Sequence, residues 1–540
     1  MLNTLSALGG MVVAPHHLAA QAGRDVLRDG GNAVEAMVAA ASTIAAVYPH
    51  MNAIGGDGFW VIHEPGKAPV AVEACGPAAA LATREFYASQ GYAHGKEGAG
   101  GVIPPRGPLA AVSVAGTVGG WEKALEVARG WGLALPLPRL LADAIRHARD
   151  GVAVTASQAA LTRSKFEGLH QAPGFAPTFL VDGAPPEVGH ILRQPALART
   201  LQTLAERGLD DFYRGGLAAL IGAELERVGS PLRQSDLAAY RARMVEPLAV
   251  RLHDSTVYNL PPPTQGLSAL MIMGIFDRLG VSPASAEQFA YVHSLVEATK
   301  RAFRVRERVV TDPDRLPADP RHFLKPEVLD ELAADIDPAR ALPWPDVAKP
   351  GDTIWMGAVD REGRAVSFIQ SVYWEFGSGV VLQDTGITWQ NRGSSFSLDP
   401  AALNTLEPGR KPFHTLNPSL AVFDDGRTMP FGTMGGEGQP QTQAMVFTRY
   451  ARMGQTLQQA VTAPRWLLGR TWGDVTTTLK LESRFPRALG EALAAAGHDV
   501  EWLPEAFSDT MGHAGALVRH PSGLIEGAAD PRSDGLAAGV

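Results

Sequence analysis

Residues 351–359 of this 540-residue chain read GDTIWMGAV, and the sequence pattern changes at this stretch. Before it, apolar residues recur at three- and four-residue spacing, which predicts helices. After it, short runs rich in β-branched and aromatic residues predict strands. The clearest predicted helices are residues 33–47, 138–149, 195–207 and 216–228, and the clearest predicted strands are residues 353–359, 365–372, 386–389 and 416–423. The chain is therefore predicted to be an α+β protein.

A segment rich in proline and aspartate, residues 309–352, lies just before this change. It is only weakly periodic, and such segments are typical of connections between elements. We therefore expect a linker over residues 309–352. The 58 glycines and 40 prolines of the whole chain are dispersed in short clusters rather than concentrated in one tract, which is typical of many tight turns in one compact protein.

Composition excludes several classes of function. The net charge is −8 and no run of five basic residues occurs, so we expect no nucleic-acid partner. No apolar stretch approaches the roughly 18 residues of a membrane helix, and the N-terminus lacks a basic segment followed by an apolar core. Cys75 is the single cysteine, which excludes an internal disulfide and a cysteine-based zinc site. We therefore expect a cytoplasmic protein with no membrane contact, no metal and no organic cofactor.

The local motifs have ordinary structural explanations when each is taken alone. Residues 55–58 read GGDG, which matches neither a dinucleotide-binding fingerprint nor a P-loop, so a tight turn is the favoured interpretation over ligand contact. A threonine at the start of a strand, as at Thr353, is most simply a β-branched strand former.

Taken together, several separated blocks resemble the γ-glutamyltranspeptidase family of N-terminal nucleophile hydrolases. They occur in the family's order and span essentially the whole chain. The blocks are GGNAVEA at 30–36, GGDGF at 55–59, ARDG at 148–151, FYRG at 212–215, PPPTQG at 261–266, GTMGG at 432–436 and DPRSDG at 530–535. The resemblance implies an αββα sandwich formed by two subunits from one precursor, a large subunit of residues 1–352 and a small subunit of residues 353–540.

The resemblance also implies a mechanism. In the family the precursor cuts itself before the nucleophile, which here places the cut between Asp352 and Thr353. A freed α-amino group then acts as the base for the Thr353 hydroxyl, and its ordinary pKa near 8 suits that task. The backbone N–H groups of Gly435 and Gly436 would stabilise the oxyanion on the way to an acyl-enzyme. Ser371 aligns with a threonine that steadies the nucleophile's amino group.

The positions that read the substrate differ from the γ-glutamyl members of the family. Glu73 stands where those members have the arginine that holds the glutamyl α-carboxylate, and a carboxylate there would repel that group. Ser395 replaces the aspartate that reads the α-ammonium group, and Arg392 replaces a glutamine. Further replacements are His414 and Thr415 for a serine pair, Tyr373 for an asparagine, and Ile354 for the threonine after the nucleophile. Asn391 lies in the loop that forms the pocket wall.

These departures lead to the predicted function. Arg392 could hold a lone carboxylate through two hydrogen bonds, although a surface or subunit-bridging salt bridge is an equal alternative for it. The leading hypothesis is an autoprocessing threonine amidohydrolase acting on a small carboxylate-bearing amide, nearer to the oxamate amidohydrolase-like members of the family than to true γ-glutamyl enzymes. One alternative is a glutathione hydrolase or γ-glutamyltransferase whose substrate readers lie elsewhere. The other is an uncleaved, inactive homologue that serves as a binding protein, against which the retention of Thr353, Gly435 and Gly436 argues. The expected partners are the amide substrate and the two subunits, and a dimer of that pair stays open.

Overall fold

Two antiparallel sheets form the centre of the fold in this computed structural model, which describes residues 3–92, 101–132, 135–282, 287–344, 352–469 and 476–540. The strands in chain order are β1 (Leu5–Ala7), β2 (Gly10–Ala14), β3 (Asp57–His63), β4 (Val70–Ala74), β5 (Val152–Ala153), β6 (Ile191–Leu192), β7 (Arg243–Val245), β8 (Leu248–Arg251), β9 (Ser255–Asn259), β10 (Asp352–Asp360), β11 (Ala365–Tyr373), β12 (Ser419–Phe423), β13 (Thr428–Thr433), β14 (Trp466–Leu468), β15 (Leu479–Leu481), β16 (Val500–Trp502), β17 (Ala514–Arg519), β18 (Ile525–Ala529) and β19 (Leu536–Gly539). One sheet has the order β1-β18-β17-β13-β12-β9-β8 and the other β19-β2-β10-β11-β3-β4-β7.

The helices cover the outer faces of both sheets. In chain order they are α1 (His17–Arg28), α2 (Ala33–Val47), α3 (Arg84–Ser89), α4 (Thr117–Ala128), α5 (Leu137–Asp150), α6 (Ala156–Ser164), α7 (Phe166–Leu169), α8 (Phe175–Phe179), α9 (Pro195–Arg207), α10 (Asp211–Arg214), α11 (Gly216–Val228), α12 (Gln234–Ala239), α13 (Gly266–Arg278), α14 (Phe289–Val309), α15 (Pro326–Ala334), α16 (Gln439–Ala451), α17 (Leu457–Thr462) and α18 (Arg487–Ala495). Helices α2 and α4 lie on the sheet that contains β10, and α13 and α16 lie on the other. The layers are therefore helix, sheet, sheet, helix, which confirms the predicted αββα sandwich.

The alternation of side chains along β10 shows how the layers are held together. Trp355 belongs to the apolar cluster between the two sheets, with Phe59 from β3 and Leu517 from β17. Its neighbour Met356 belongs to the cluster beneath α2. Because successive side chains in a strand point to opposite faces, one strand contributes to two cores.

Helix α2 confirms its predicted bounds. Every one of its residues is buried, in agreement with the apolar composition all round the helix. The helix begins at a capping box, in which the Asn32 side chain accepts from the N–H of Glu35 at 3.0 Å and the Glu35 carboxylate accepts from the N–H of Asn32 at 2.9 Å. These contacts explain why the helix starts at residue 33.

Two local predictions were wrong. The expected linker over residues 309–352 contains helix α15, whose Leu329 and Ala333 are buried. Its proline lies at the first helical position, where the missing N–H costs nothing, so a proline-rich stretch here starts a helix instead of preventing one. Residues 345–351 of that segment lie outside the described residues. Residues 386–389 form no strand, because Gly386 turns the chain at φ +70° and Trp389 pairs only through an isolated bridge.

The arrangement of strands places the predicted nucleophile. β10, β11 and β3 are neighbours, with Asp352 opposite Tyr373 and Ser371 opposite Asp57, so the start of β10, the end of β11 and the start of β3 lie together. This sheet contains strands from both sides of residue 352: β2, β3, β4 and β7 come from before it, and β10, β11 and β19 from after it. The predicted subunits 1–352 and 353–540 would therefore share one sheet after cleavage, and that division stays a prediction. Over the described ranges, no helix has both the length and the apolar character needed to cross a membrane.

Candidate active site

Thr353 is held in a buried position at the start of β10. It has no exposed surface, and the pairing of β10 with β11 shifts register between Asp352 and Ile354. Such bulges often redirect a side chain beside an active site. The Nε2 of Gln439, the first residue of α16, donates to Thr353 Oγ1 at 3.2 Å. The first residue of α16 therefore orients the Thr353 hydroxyl, a contact that was not predicted from the sequence.

The predicted oxyanion loop follows β13 directly. Gly435 and Gly436 have φ values of +117° and +51°, a conformation that favours glycine. Within the described residues, neither N–H donates to a backbone or side-chain acceptor. Both N–H groups are thus without an acceptor among the described residues, and their role as oxyanion donors stays a prediction.

The end of β11 lies next to the start of β10, where Thr353 is found. Ser371 Oγ accepts from the N–H of Tyr373 at 2.7 Å, and Tyr373 has φ +85°, which is rare for a bulky residue and strained. Asn391 fixes the next turn, because its Oδ1 accepts from the N–H of Trp374 at 3.0 Å and its Nδ2 donates to the carbonyl of Pro105 at 2.9 Å. Asn391 thus fixes the turn that follows β11. The role of Ser371 toward the amino group of Thr353 stays a prediction.

Arg392 is the most informative residue of the site. It is fully buried, and its guanidinium carbon lies 3.8 Å from the centre of the Tyr373 ring. Nη1 donates to Thr415 Oγ1 at 3.2 Å, whereas Nε and Nη2 have no hydrogen-bond partner in the described parts of the chain. Burial lowers the pKa of Arg392 to about 10, so the group remains charged at neutral pH. Arg392 is therefore neither exposed nor engaged in a salt bridge with a described residue.

The two free nitrogens of Arg392 define a ligand geometry. Nε and Nη2 lie on one edge of the planar guanidinium, and that edge can pair with both oxygens of a carboxylate. A buried donor without a partner costs about 1–3 kcal/mol. The arrangement can bind a carboxylate that the chain itself does not supply.

A buried aspartate–histidine pair lies beside this guanidinium. Asp57 Oδ2 is 2.8 Å from His414 Nε2, and neither side chain has exposed surface. Asp57 Oδ1 accepts from the N–H groups of Gly116 at 3.0 Å and Gly76 at 3.2 Å and from Gln390 Nε2 at 3.2 Å. Sequence reasoning missed Asp57 by interpreting residues 55–58 as a turn. The available signal was a carboxylate within a glycine run at the start of a buried strand.

Burial controls the charge of this pair. It raises the pKa of Asp57 to about 7, an effect that the nearby Arg392 charge opposes. Burial, followed by the charges of Arg392 and Lys411, holds the pKa of His414 well below its usual range, so the imidazole is neutral. His414 Nδ1 has no partner among the described residues. With Nε2–H donated to Asp57, Nδ1 is a free hydrogen-bond acceptor.

The remaining predicted contacts are occupied by the protein. Glu73 Oε1 lies 3.0 Å from Arg243 Nη2 and also forms an ion pair with Lys411, so its negative charge is compensated. Ser395 Oγ donates to the carbonyl of Phe413 at 3.2 Å. Contact of Glu73 or Ser395 with a substrate stays a prediction.

A chain of buried hydrogen bonds connects Thr353 with Arg392. Gln439, which donates to Thr353, accepts from Asn417 Nδ2 at 3.0 Å. Asn417 Nδ2 also donates to the carbonyl of Thr415 at 2.8 Å, and the Thr415 hydroxyl accepts from Arg392. Asn417 and Gln439 were not predicted from the sequence, where they are ordinary amides near the glycine pair. The network thus joins the Thr353 hydroxyl to the Arg392 guanidinium.

One other cluster has the spacing of metal ligands. Potential ligand atoms of His293, Glu297 and His498 lie within 4.8 Å of one another. However, the Glu297 carboxylate already pairs with Lys300 at 2.8 Å and Arg301 at 2.9 Å, and Lys300 Nζ lies 3.4 Å from His498 Nδ1. Two cations at these distances oppose metal binding, so the cluster is best described as an ion-paired network.

Comparisons with known proteins agree with this geometry. A sequence model of the family described as gamma-glutamyltranspeptidase matches residues 19–540. The oxamate amidohydrolase proenzyme of Klebsiella pneumoniae subsp. pneumoniae is 56% identical over 531 residues, covering 98% of this chain and 98% of that protein. The glutathione hydrolase-like YwrD proenzyme of Bacillus subtilis is 38% identical over 532 residues, again with 98% of both chains covered. The crystal structure of cephalosporin acylase from Bacillus halodurans superposes with a TM-score of 0.89 at 33% identity, covering 100% of this chain and 97% of that one.

Proposed function

Since this chain belongs to the γ-glutamyltranspeptidase family and is a hydrolase of that family, we propose that it hydrolyses the amide bond of a small, oxamate-like carboxylate with Thr353 as the nucleophile. The observation that carries the proposal is the free Nε/Nη2 edge of the fully buried Arg392. A buried, charged, two-point donor is suited to a planar carboxylate. The oxamate amidohydrolase proenzyme described above is named for a substrate of this chemistry.

The proposed reaction begins with cleavage between Asp352 and Thr353, which converts the amide nitrogen of Thr353 into an amine. That amine takes the proton from Oγ, and Oγ attacks the amide carbonyl of the substrate. The N–H groups of Gly435 and Gly436 stabilise the oxyanion, the C–N bond breaks, and the proton leaves with ammonia. Water then hydrolyses the acyl-enzyme, so that oxamate and water give oxalate and ammonia.

Arg392 and His414 would orient the substrate from complementary sides. The Arg392 edge supplies two donors for the carboxylate, and His414 Nδ1 supplies an acceptor for the N–H of the scissile amide. An α-ammonium group has no comparable partner here, because Asp57 is surrounded by its own donors and Glu73 by two cations. A γ-glutamyl substrate would therefore bring an ammonium group to a site whose carboxylates are already paired.

Intact mass spectrometry and ammonia release test the proposal together. Wild type should give two fragments, the smaller starting at Thr353, and should release ammonia from oxamate faster than it cleaves a γ-glutamyl anilide. Thr353→Ala should stay whole and inactive. One uncut species from both proteins would contradict the nucleophile, and a preference for the γ-glutamyl anilide would contradict the substrate class.

A further inference from the structure

Gln265 connects the oxyanion loop, residues 435–438, to the segment that contacts Arg392. It follows the proline run at residues 261–263 and is fully buried. Its Nε2 donates to the carbonyl of Gly436 at 2.7 Å and to the carbonyl of Thr415 at 2.8 Å. Its own N–H donates to the carbonyl of His414 at 2.9 Å. One amide group therefore joins two parts of the proposed active site.

Arg306 on α14 fixes the orientation of that amide. Its Nη1 donates to Gln265 Oε1 at 3.0 Å, so Nε2 must be the end that faces the two carbonyls. Its Nη2 donates to Glu437 Oε2 at 3.0 Å, next in the chain to Gly436. The guanidinium also lies 3.9 Å from the centre of the Phe303 ring, and Arg306 is almost completely buried. Arg306 thus holds both Gln265 and the loop.

We propose that Gln265, oriented by Arg306, is a positioning residue that sets the oxyanion loop for catalysis. The inference rests on the proposed function. Gly435 and Gly436 have no side chains that could fix their unusual backbone angles, so the loop depends on contacts from outside. An oxyanion hole acts only when its donors are preorganised within a few tenths of an ångström of the developing charge.

If the Gln265 amide is removed, the two carbonyls that accept from Nε2 differ in the donors they still have. The carbonyl of Thr415 keeps a second donor, Asn417 Nδ2 at 2.8 Å. Among the described residues, the carbonyl of Gly436 otherwise accepts only from Gln439 N, within the turn formed by the loop itself. Removing the Gln265 amide should therefore displace the oxyanion loop more than the segment around Thr415 that contacts Arg392. Since Arg392 remains in place, substrate binding should change little while turnover falls.

The test compares Gln265→Met, which keeps the length of the side chain, with Gln265→Glu, which keeps the pair with Arg306 but lacks the donor. We expect kcat on oxamate to fall about 10- to 100-fold, the loss typical of a displaced catalytic group. KM for oxamate and the Kd of oxalate, measured by calorimetry, should stay within about threefold of wild type. All rates are referred to the cleaved fraction found by intact mass spectrometry. Gln194→Met is the matched control, because Gln194 is also buried and donates to a backbone carbonyl, that of Ala46 at 2.7 Å.

Three results would overturn the inference. In the first, kcat of both Gln265 variants stays within threefold of wild type. In the second, KM and the oxalate Kd rise as much as kcat falls, which indicates general damage to the pocket. In the third, both variants remain uncut while Gln194→Met is cut, since the inference concerns turnover of the mature enzyme. Failure of the proposed function is recognised separately, because wild type would then neither hydrolyse oxamate nor bind oxalate.

Discussion

Replacement of Arg392 by lysine or methionine should lower activity on carboxylate-bearing amides selectively. The free Nε/Nη2 edge offers two parallel donors, while Nη1 is already used by Thr415. A lysine has one flexible ammonium group and cannot reproduce the planar fork or its packing on Tyr373. A methionine removes the charge and every donor. The neutral analogue oxamide has nearly the shape of oxamate but lacks the carboxylate, so it isolates the contribution of Arg392.

The magnitude follows from the contacts that are lost. A hydrogen bond to a charged group contributes about 1.5–3 kcal/mol. Loss of one such bond in Arg392→Lys should therefore lower kcat/KM for oxamate by about 10- to 150-fold, at 1.4 kcal/mol per factor of ten. Breaking a buried charge pair by removing one partner costs about 3–5 kcal/mol. Arg392→Met should accordingly lose about 140- to 3,700-fold in kcat/KM, mainly through a higher KM.

The assay is steady-state ammonia release from oxamate and from oxamide at one pH. Both variants should still be cut, since the contacts of Arg392 within the described part of the chain are with Thr415 and Tyr373 and not with Thr353; intact mass spectrometry checks this. Arg410→Met is the matched control, because Arg410 is also buried but donates to the carbonyls of Leu403 and Thr405. The control should leave the oxamate-to-oxamide ratio unchanged. If the activity of the Arg392 variants falls equally on oxamate and oxamide, so that the ratio is unchanged, Arg392 has no carboxylate-binding role.

Three further outcomes are expected. Protonation of Asp57, whose pKa is raised to about 7, makes its carboxyl donate to His414 Nε2 and turns Nδ1 of the neutral ring from an acceptor into a donor; KM should therefore rise as the pH falls below 7, by at most about tenfold per unit, and Asp57→Asn should flatten this dependence in pH-resolved kinetics. Thr353→Ser should still be cut, since it keeps the hydroxyl, whereas Thr353→Ala should remain one chain by mass spectrometry. Gly56→Ala would place Cβ 2.1 Å from the carbonyl oxygen of Ser371, and in thermal melts it should destabilise the fold by about 1–3 kcal/mol. Gly130→Ala is the control: its Cβ would have no atom within 4 Å, so the melting temperature should stay nearly unchanged.

Local chemistry determined what could be predicted from the sequence. Helix α2 was predicted residue for residue because Asn32 and Glu35 form its start from within four positions. Strands β10 and β11 were predicted to within one residue at each end, because β-branched and aromatic residues concentrate in them. Asp57 was missed because its significance depends on His414, which is 357 positions away in the chain. Periodicity contains no information about such a contact. The resemblance to a family indicated Arg392, but only the structure shows that its free edge is buried.

The residues of the proposed site come from both sides of the proposed cleavage point. This explains how cleavage could activate the protein without separating its two parts. Asp57 and Gln265 lie before the cut, and Thr353 and Arg392 lie after it. Asp57 pairs with His414 and Gln265 donates to Thr415 through buried hydrogen bonds, and neither bond involves residue 352 or 353. Under the proposed mechanism, the uncut chain already has the Thr353 hydroxyl, the Gly435 and Gly436 N–H groups and the free Arg392 edge, and lacks only the amine base. Stability alone would favour an apolar residue over a buried guanidinium with two unpaired nitrogens. The presence of Arg392 in this position therefore argues for a site organised around an anionic ligand.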